Sequence, residues 1–155
     1  MNLLPTAVLL SVLPVMPALA CDVRIEAGWI RQPAVATASL AAYAALVNTG
    51  QSPVTLVAAS STAAVSTSLH ETMMHGTTAM MRPVAKLVVP AGGRVELAPG
   101  GMHLMLEQPR FAAKPGDRVT ITLQEAGGCV VVGEFVVRPV GGAAAEVAPA
   151  PAHRH

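Results

Sequence analysis

Aromatic residues are scarce in this sequence: one Trp, one Tyr and two Phe in 155 residues. Charge is thin and nearly balanced, with 10 Lys and Arg against 9 Asp and Glu, and no basic block stands out. A nucleic-acid surface needs clustered cations and stacking rings, so that class of partner is excluded. Only two cysteines are present, Cys21 and Cys129. A blue-copper electron-transfer centre needs a thiolate with His and Met close by. No Met follows Cys129, and no His until His153. A hydrolase constellation is also missing, because Ser60 and Ser61 lie in a run without a base signature and the carboxylates are scattered. Nothing in this pattern points to an enzyme. Beyond residue 20, no apolar run approaches the ~18 residues that suggest a membrane-spanning helix.

The first 20 residues, MNLLPTAVLLSVLPVMPALA, read as a secretory signal peptide ending in the small-x-small site Ala18-Leu19-Ala20. The n-region has no Lys or Arg. Pro5, Pro14 and Pro17 argue against a buried first helix. Export to the periplasm is the expectation. Cleavage after Ala20 would leave Cys21 at the new N-terminus, which opens two fates. One is acylation as a lipoprotein, although such signals usually have Leu where Ala18 stands. The other is a disulfide between Cys21 and Cys129, reasonable in an oxidising compartment. Residues 141–155, GGAAAEVAPAPAHRH, are an Ala/Pro/Gly-rich tail ending in His153 and His155, and are expected to be disordered. A single domain over residues 21–140 remains.

Within that domain, short apolar or alternating runs are separated by turn signals every 8–12 residues or so, the pattern of an all-β sandwich or barrel. Strands are expected over residues 22–30, 40–47, 54–59, 64–71, 80–83, 87–89, 95–97, 102–106, 119–124 and 130–137. The run at 40–47 is apolar on both parities, as for a strand buried on both faces. The run at 54–59 follows it closely and is expected to be its antiparallel partner. Residues 72–78, with Gly76, read as a loop or hairpin tip, and Trp29 reads as core.

All six methionines beyond the leader (Met73, Met74, Met80, Met81, Met102 and Met105) fall between residues 70 and 105, together with His70, His75 and His103. Thioether and imidazole gathered in this way suggest a soft metal, Cu(I) first. Residues i and i+2 of a strand share a face, so His103 and Met105 project together while Met102, Leu104 and Leu106 point the other way. Adding His70 and Met81 gives two nitrogens and two sulfurs without thiolate or carboxylate. Such a neutral set suits monovalent copper better than zinc. Met73, Met74, His75 and Met80 are candidates for an auxiliary or docking role, and His153 and His155 for auxiliary metal capture.

Ten residues separate His70 from Met81, twenty-one separate Met81 from His103, and one separates His103 from Met105. With Trp29-x-Arg31, Tyr43 leading to Asn48-x-Gly50, Met81-Arg82-Pro83, Pro90-Ala91-Gly92 and Leu97-Ala98-Pro99-Gly100-Gly101, this spacing resembles the periplasmic copper chaperones of the PCuAC type over about residues 22–139. The resemblance implies a single-domain, cupredoxin-like Greek-key β-sandwich holding Cu(I) at an exposed site made by His70, Met81, His103 and Met105. It further implies a chaperone that passes copper to the copper-site subunit of cytochrome c oxidase or to another copper-assembly protein, and a monomer is the separate expectation. A periplasmic copper buffer or resistance protein without a dedicated acceptor is the alternative. Some members of the family carry a His/Met-rich tail that assists with Cu(II); this chain offers only His153 and His155.

Overall fold

The computed structural model describes residues 21–35 and 38–140. The expected leader (1–20) and the tail (141–155), with His153 and His155, lie outside the described residues. Every regular element described is a strand: β1 (Val23–Arg31), β2 (Leu40–Asn48), β3 (Val54–Ser60), β4 (Ala64–His75), β5 (Thr78–Pro83), β6 (Leu87–Val89), β7 (Arg94–Leu97), β8 (Met102–Pro109), β9 (Arg118–Glu125) and β10 (Val130–Arg138).

The period-two alternation of apolar residues explains why the strands pack as one domain. Ile121 and Leu123 of β9, Val131, Phe135 and Val137 of β10, Leu104 and Leu106 of β8, and Leu40 and Leu46 of β2 all enter a single buried core. Each fully buried side chain of this size contributes about 1.5–3 kcal/mol relative to exposure. Pairing runs β4-β8-β2-β1-β10-β9-β3, and a contact between Ala59 of β3 and Thr67 of β4 closes this path into a seven-stranded ring. β5, β6 and β7 attach to β4, β3 and β2. The ladders are antiparallel except β1 with β10, which run parallel. The all-β, single-domain, sandwich-like expectation holds, with the hydrogen-bonding closing around the sandwich.

Two local expectations are corrected and one is narrowed. β3 does not pair with β2; it pairs with β9, β6 and β4. Both edges of β2 are already taken, one by β1 and the other by β7 and β8, and Asn48 anchors the chain where it leaves β2. Asn48 is buried, and its amide donates to the carbonyls of Ser52 (2.8 Å) and Val89 (3.1 Å), while its Oδ1 accepts from the Gly50 N–H. These bonds hold the chain where it crosses the sandwich instead of running back along β2.

Of the two readings of residues 72–78, the hairpin tip holds and the loop does not. β4 continues to His75, β5 begins at Thr78, and only Gly76-Thr77 turns between them. Gly76 has φ +64°, as the first position of a primed two-residue turn requires.

Trp29 is half-buried and lies outside the core. A β-bulge between Glu26 and Trp29, with Ala27 at φ 51°, adds one residue to β1. A one-residue slip reverses every side chain that follows. Val23 therefore faces the core before the bulge and Ile30 after it, which puts Trp29 on the outer face opposite Tyr43.

The parallel pairing of β1 with β10 brings the residues just ahead of both strands together. Cys21 and Cys129 form a disulfide there, with Cα atoms 5.5 Å apart. It bridges 108 residues of sequence and ties the first strand to the last.

Candidate metal centre

The register of β5-β4-β8 decides which side chains share a face. His70 lies directly opposite His103, and Ser68 opposite Met105. Thr72, two residues beyond His70, lies opposite Met81. Cross-strand partners point to the same side of a sheet, as do residues two apart along a strand. His70, Met81, His103 and Met105 therefore share one face. It is the outer one, since Leu69, Leu104 and Leu106 on the opposite parity pack into or against the core. Met102 also packs against the core.

The two imidazoles are held by hydrogen bonds that leave one nitrogen free on each. His103 is 3% exposed. Its Nδ1 lies 3.1 Å from the Gly101 carbonyl, which can only accept, so Nδ1 carries the proton. Nε2 of the neutral ring is then a bare lone pair, and it is buried without a partner. His70 Nε2 lies 3.0 Å from Ser68 Oγ, and its Nδ1 is likewise buried and unpartnered. Buried polar atoms are rarely left unsatisfied. Two orphaned imidazole nitrogens on directly opposed residues, ring centroids 6.0 Å apart, fit a pair of metal ligands. Metal-bound histidines characteristically use the second nitrogen in this way.

The Pro99-Gly100-Gly101 turn has a defined part in this geometry. Gly100 takes φ +83°, and the Gly101 carbonyl accepts from the Thr72 N–H as well as from His103. One carbonyl thus fixes the imidazole and anchors the base of the β4–β5 hairpin.

The thioethers differ in exposure. Met105 is half-buried beside Ser68, whereas Met81 is 60% exposed. The site is closed at His103 and open at Met81. Among the described residues, no group of three or more His, Cys, Asp and Glu converges on a common point. Glu71, adjacent to His70, is engaged with Arg82 at 2.8 Å. The candidate donors on this face are consequently two imidazole nitrogens and two thioethers, a set whose chemistry suits Cu(I) and suits zinc poorly.

An aromatic wall borders the site. Tyr43 lies 6.2 Å from His103 and 4.5 Å from Trp29, centroid to centroid. Arg31 sits over Tyr43 at 5.8 Å and Arg138 over Trp29 at 5.6 Å. Burial pushes the Tyr43 phenol above its ordinary pKa, with Arg31 partly opposing.

Sequence reasoning did not single out Ser68, the Gly101 carbonyl or the Tyr43–Trp29 wall as parts of this site. The Ser68-x-His70 alternation was a readable signal for the first. The other two depend on the turn conformation and on the bulge. Of the auxiliary candidates, Met74 lies on the face of His70, whereas Met73, His75 and Met80 lie on the reverse of the hairpin.

This fold, with His and Met gathered on the outer face of β4, β5 and β8, defines a PCuAC-type domain. The chain belongs to the LpqE-like family, described as "Putative lipoprotein LpqE-like", whose model matches residues 23–137. The chain is 33% identical over 107 residues to "Putative lipoprotein Lxx21020" of Leifsonia xyli subsp. xyli (strain CTCB07). That match spans 68% of this chain and 63% of the relative. Among solved structures, the Cu(I) form of DR1885 from Deinococcus radiodurans is 31% identical with a TM-score of 0.61, covering 78% of this chain and 81% of that one. The apo form of DR1885 is 28% identical with a TM-score of 0.59, covering 89% and 93%. The copper-bound PCuAC domain of PmoF2, at 22% identity, shares the fold, with a TM-score of 0.64 over 78% of this chain and 96% of that domain.

Proposed function

We propose that this protein is an exported carrier of Cu(I), which it holds through His70 Nδ1, His103 Nε2 and the sulfurs of Met81 and Met105 and hands on by ligand exchange. The observation that carries the reading is the pair of unpartnered, buried imidazole nitrogens on directly opposed residues, flanked by thioethers on the same face. The Cu(I) form known for DR1885 supports the same metal.

The uneven burial of the ligands gives transfer a direction. His103, locked by the Gly101 carbonyl, is the fixed anchor, and Met81 is the ligand that incoming groups reach. An acceptor offering soft ligands displaces Met81 first and His103 last. The copper centre of cytochrome c oxidase is the proposed destination. Copper is cargo here, and no bond of a substrate is made or broken.

Export suits both the disulfide and the lipoprotein description of the family. A lipid thioether on Cys21 and a bridge to Cys129 both consume the same Sγ, so they exclude each other in one molecule. No helix among the described residues is long and apolar enough to cross a membrane.

The test is a Cu(I) titration of the apo protein against a competing chelator, with X-ray absorption to count scatterers. Two nitrogens and two sulfurs are expected for the first equivalent, together with loss of that equivalent in His103→Ala/Met105→Ala. Unchanged binding in the double variant would overturn the site. Deleting the gene separates delivery from buffering: lost oxidase activity at low copper supports a carrier, and copper sensitivity alone supports a buffer.

A further inference from the structure

The β4–β5 hairpin extends past the sheet that carries it. β4 pairs with β8 only as far as Glu71 opposite Met102, and the Thr72 N–H makes the last bond, to Gly101. Beyond that point the two strands form a free ribbon with solvent on both faces. A ribbon without a core beneath it has no packing use for long apolar side chains, yet this one carries Met73, Met74, Met80 and Met81. They are 45%, 64%, 58% and 60% exposed.

Register divides them between the two faces. Met81, with Met74, belongs to the face of His70. Met73 and Met80 are directly opposed on the reverse face, and His75, two residues after Met73, shares it. Directly opposed residues have Cβ atoms about 4.5–5.5 Å apart, and two strand residues advance about 7 Å. Met has three rotatable bonds in its side chain and adapts readily to such a span. The neighbouring carboxylate on that face, Glu71, is taken by Arg82 at 2.8 and 3.1 Å. The donors that remain are two thioethers and an imidazole.

We infer that Met73, His75 and Met80 form a second Cu(I) site, on the reverse of the hairpin from His70, Met81, His103 and Met105. It is a three-donor S2N site whose two methionines are 45% and 58% exposed, and therefore weaker and faster to exchange than the first. The two sites lie back to back across one two-stranded ribbon, so an ion caught on the reverse face is a short step from Met81.

Ag(I), a diamagnetic soft monocation, tests this on the full chain with methionine methyl groups labelled for NMR. The first equivalent is expected to shift the methyls of Met81 and Met105, and the second those of Met73 and Met80 with the His75 ring. Met73→Leu/Met80→Leu removes both sulfurs at exposed positions and keeps the side-chain volume; it should lose the second equivalent and keep the first. His103→Ala/Met105→Ala should lose the first and keep the second, so failure of the primary assignment is distinguishable from failure of this one. His153→Ala/His155→Ala should keep both equivalents. The inference falls if the Met73 and Met80 methyls stay unmoved through two equivalents. It falls equally if the double leucine variant still takes up two, or if removing the tail histidines abolishes the second.

Discussion

His70 and His103 face each other across the β4–β8 ladder, yet they are held by opposite ring nitrogens, His70 through Nε2 on Ser68 and His103 through Nδ1 on Gly101. A hydroxyl on one side and a backbone carbonyl on the other therefore leave Nδ1 of one ring and Nε2 of the other unpartnered. The carbonyl cannot be removed by a side-chain substitution, but the hydroxyl can.

Ser68→Ala is accordingly expected to weaken Cu(I) binding by about tenfold, the lower end of the effect of losing a partner that orients a ligand. Folding stability should change by only about 1 kcal/mol, the net worth of one hydrogen bond. Chelator competition reads the first quantity and urea unfolding the second. The His70 ring, followed by nitrogen NMR, should lose its tautomer preference in the variant.

Met81→Leu separates binding from folding. At 60% exposure Met81 contributes little to packing, so stability should move by no more than about 0.5 kcal/mol. Copper should be held less tightly and released faster to a thiol or thioether acceptor, as stopped-flow transfer to a chelator would show. Leu104→Ala, one residue from His103 but 2% exposed and facing the core, should show the opposite pattern. It should cost about 2–5 kcal/mol of stability and leave the copper stoichiometry of the folded fraction unchanged.

Trp29 and Tyr43 are the sole residues of their kinds in the chain and stack 4.5 Å apart beside His103. Metal loading should change Trp29 fluorescence with the same stoichiometry as chelator competition. Burial raises the Tyr43 pKa, so the phenol should titrate above its ordinary value of about 10 in alkaline difference spectra. The fold favours the neutral form. Its contribution to stability is therefore fully present below the unfolded pKa and is lost as pH rises through the higher folded one.

The Cys21–Cys129 bridge closes a long loop, and Cys129→Ser should destabilise the domain by about 2–5 kcal/mol. A maleimide applied to the denatured, unreduced protein should find no free thiol in the bridged form. Lipidated protein would instead leave Cys129 open to the reagent, and its N-terminal peptide would carry the added mass of the acyl chains. Mass spectrometry of material taken from its native compartment distinguishes the two.

Much of the candidate site was readable because strand geometry is local. The period of two is enough to place Met105 with His103 and to send Met102 and Leu104 the other way, and the structure keeps that parity. Turn chemistry was also legible at Pro99-Gly100-Gly101 and at Asn48-Thr49-Gly50. The hairpin was harder. Residues rich in Met, Thr and Gly look like a loop to any pattern that expects one buried face, and a ribbon with solvent on both sides has none.

The sequence by itself determined the chemistry of the candidate donors. Without Cys or carboxylate at the right spacing, two His and two Met are a soft, neutral set wherever the chain takes them, because ligand preference belongs to the atoms. Tertiary structure decided which candidate donors share a face and how the two imidazoles are held. The β4–β8 register set His70 against His103, and a carbonyl and a hydroxyl chose their free nitrogens. A single bulged residue moved Trp29 from the core to the wall of the site, and the parallel β1–β10 pair brought Cys21 to Cys129. These are contacts between residues far apart in the chain, fixed by hydrogen-bond register and core packing, and neither is written in any local stretch of sequence.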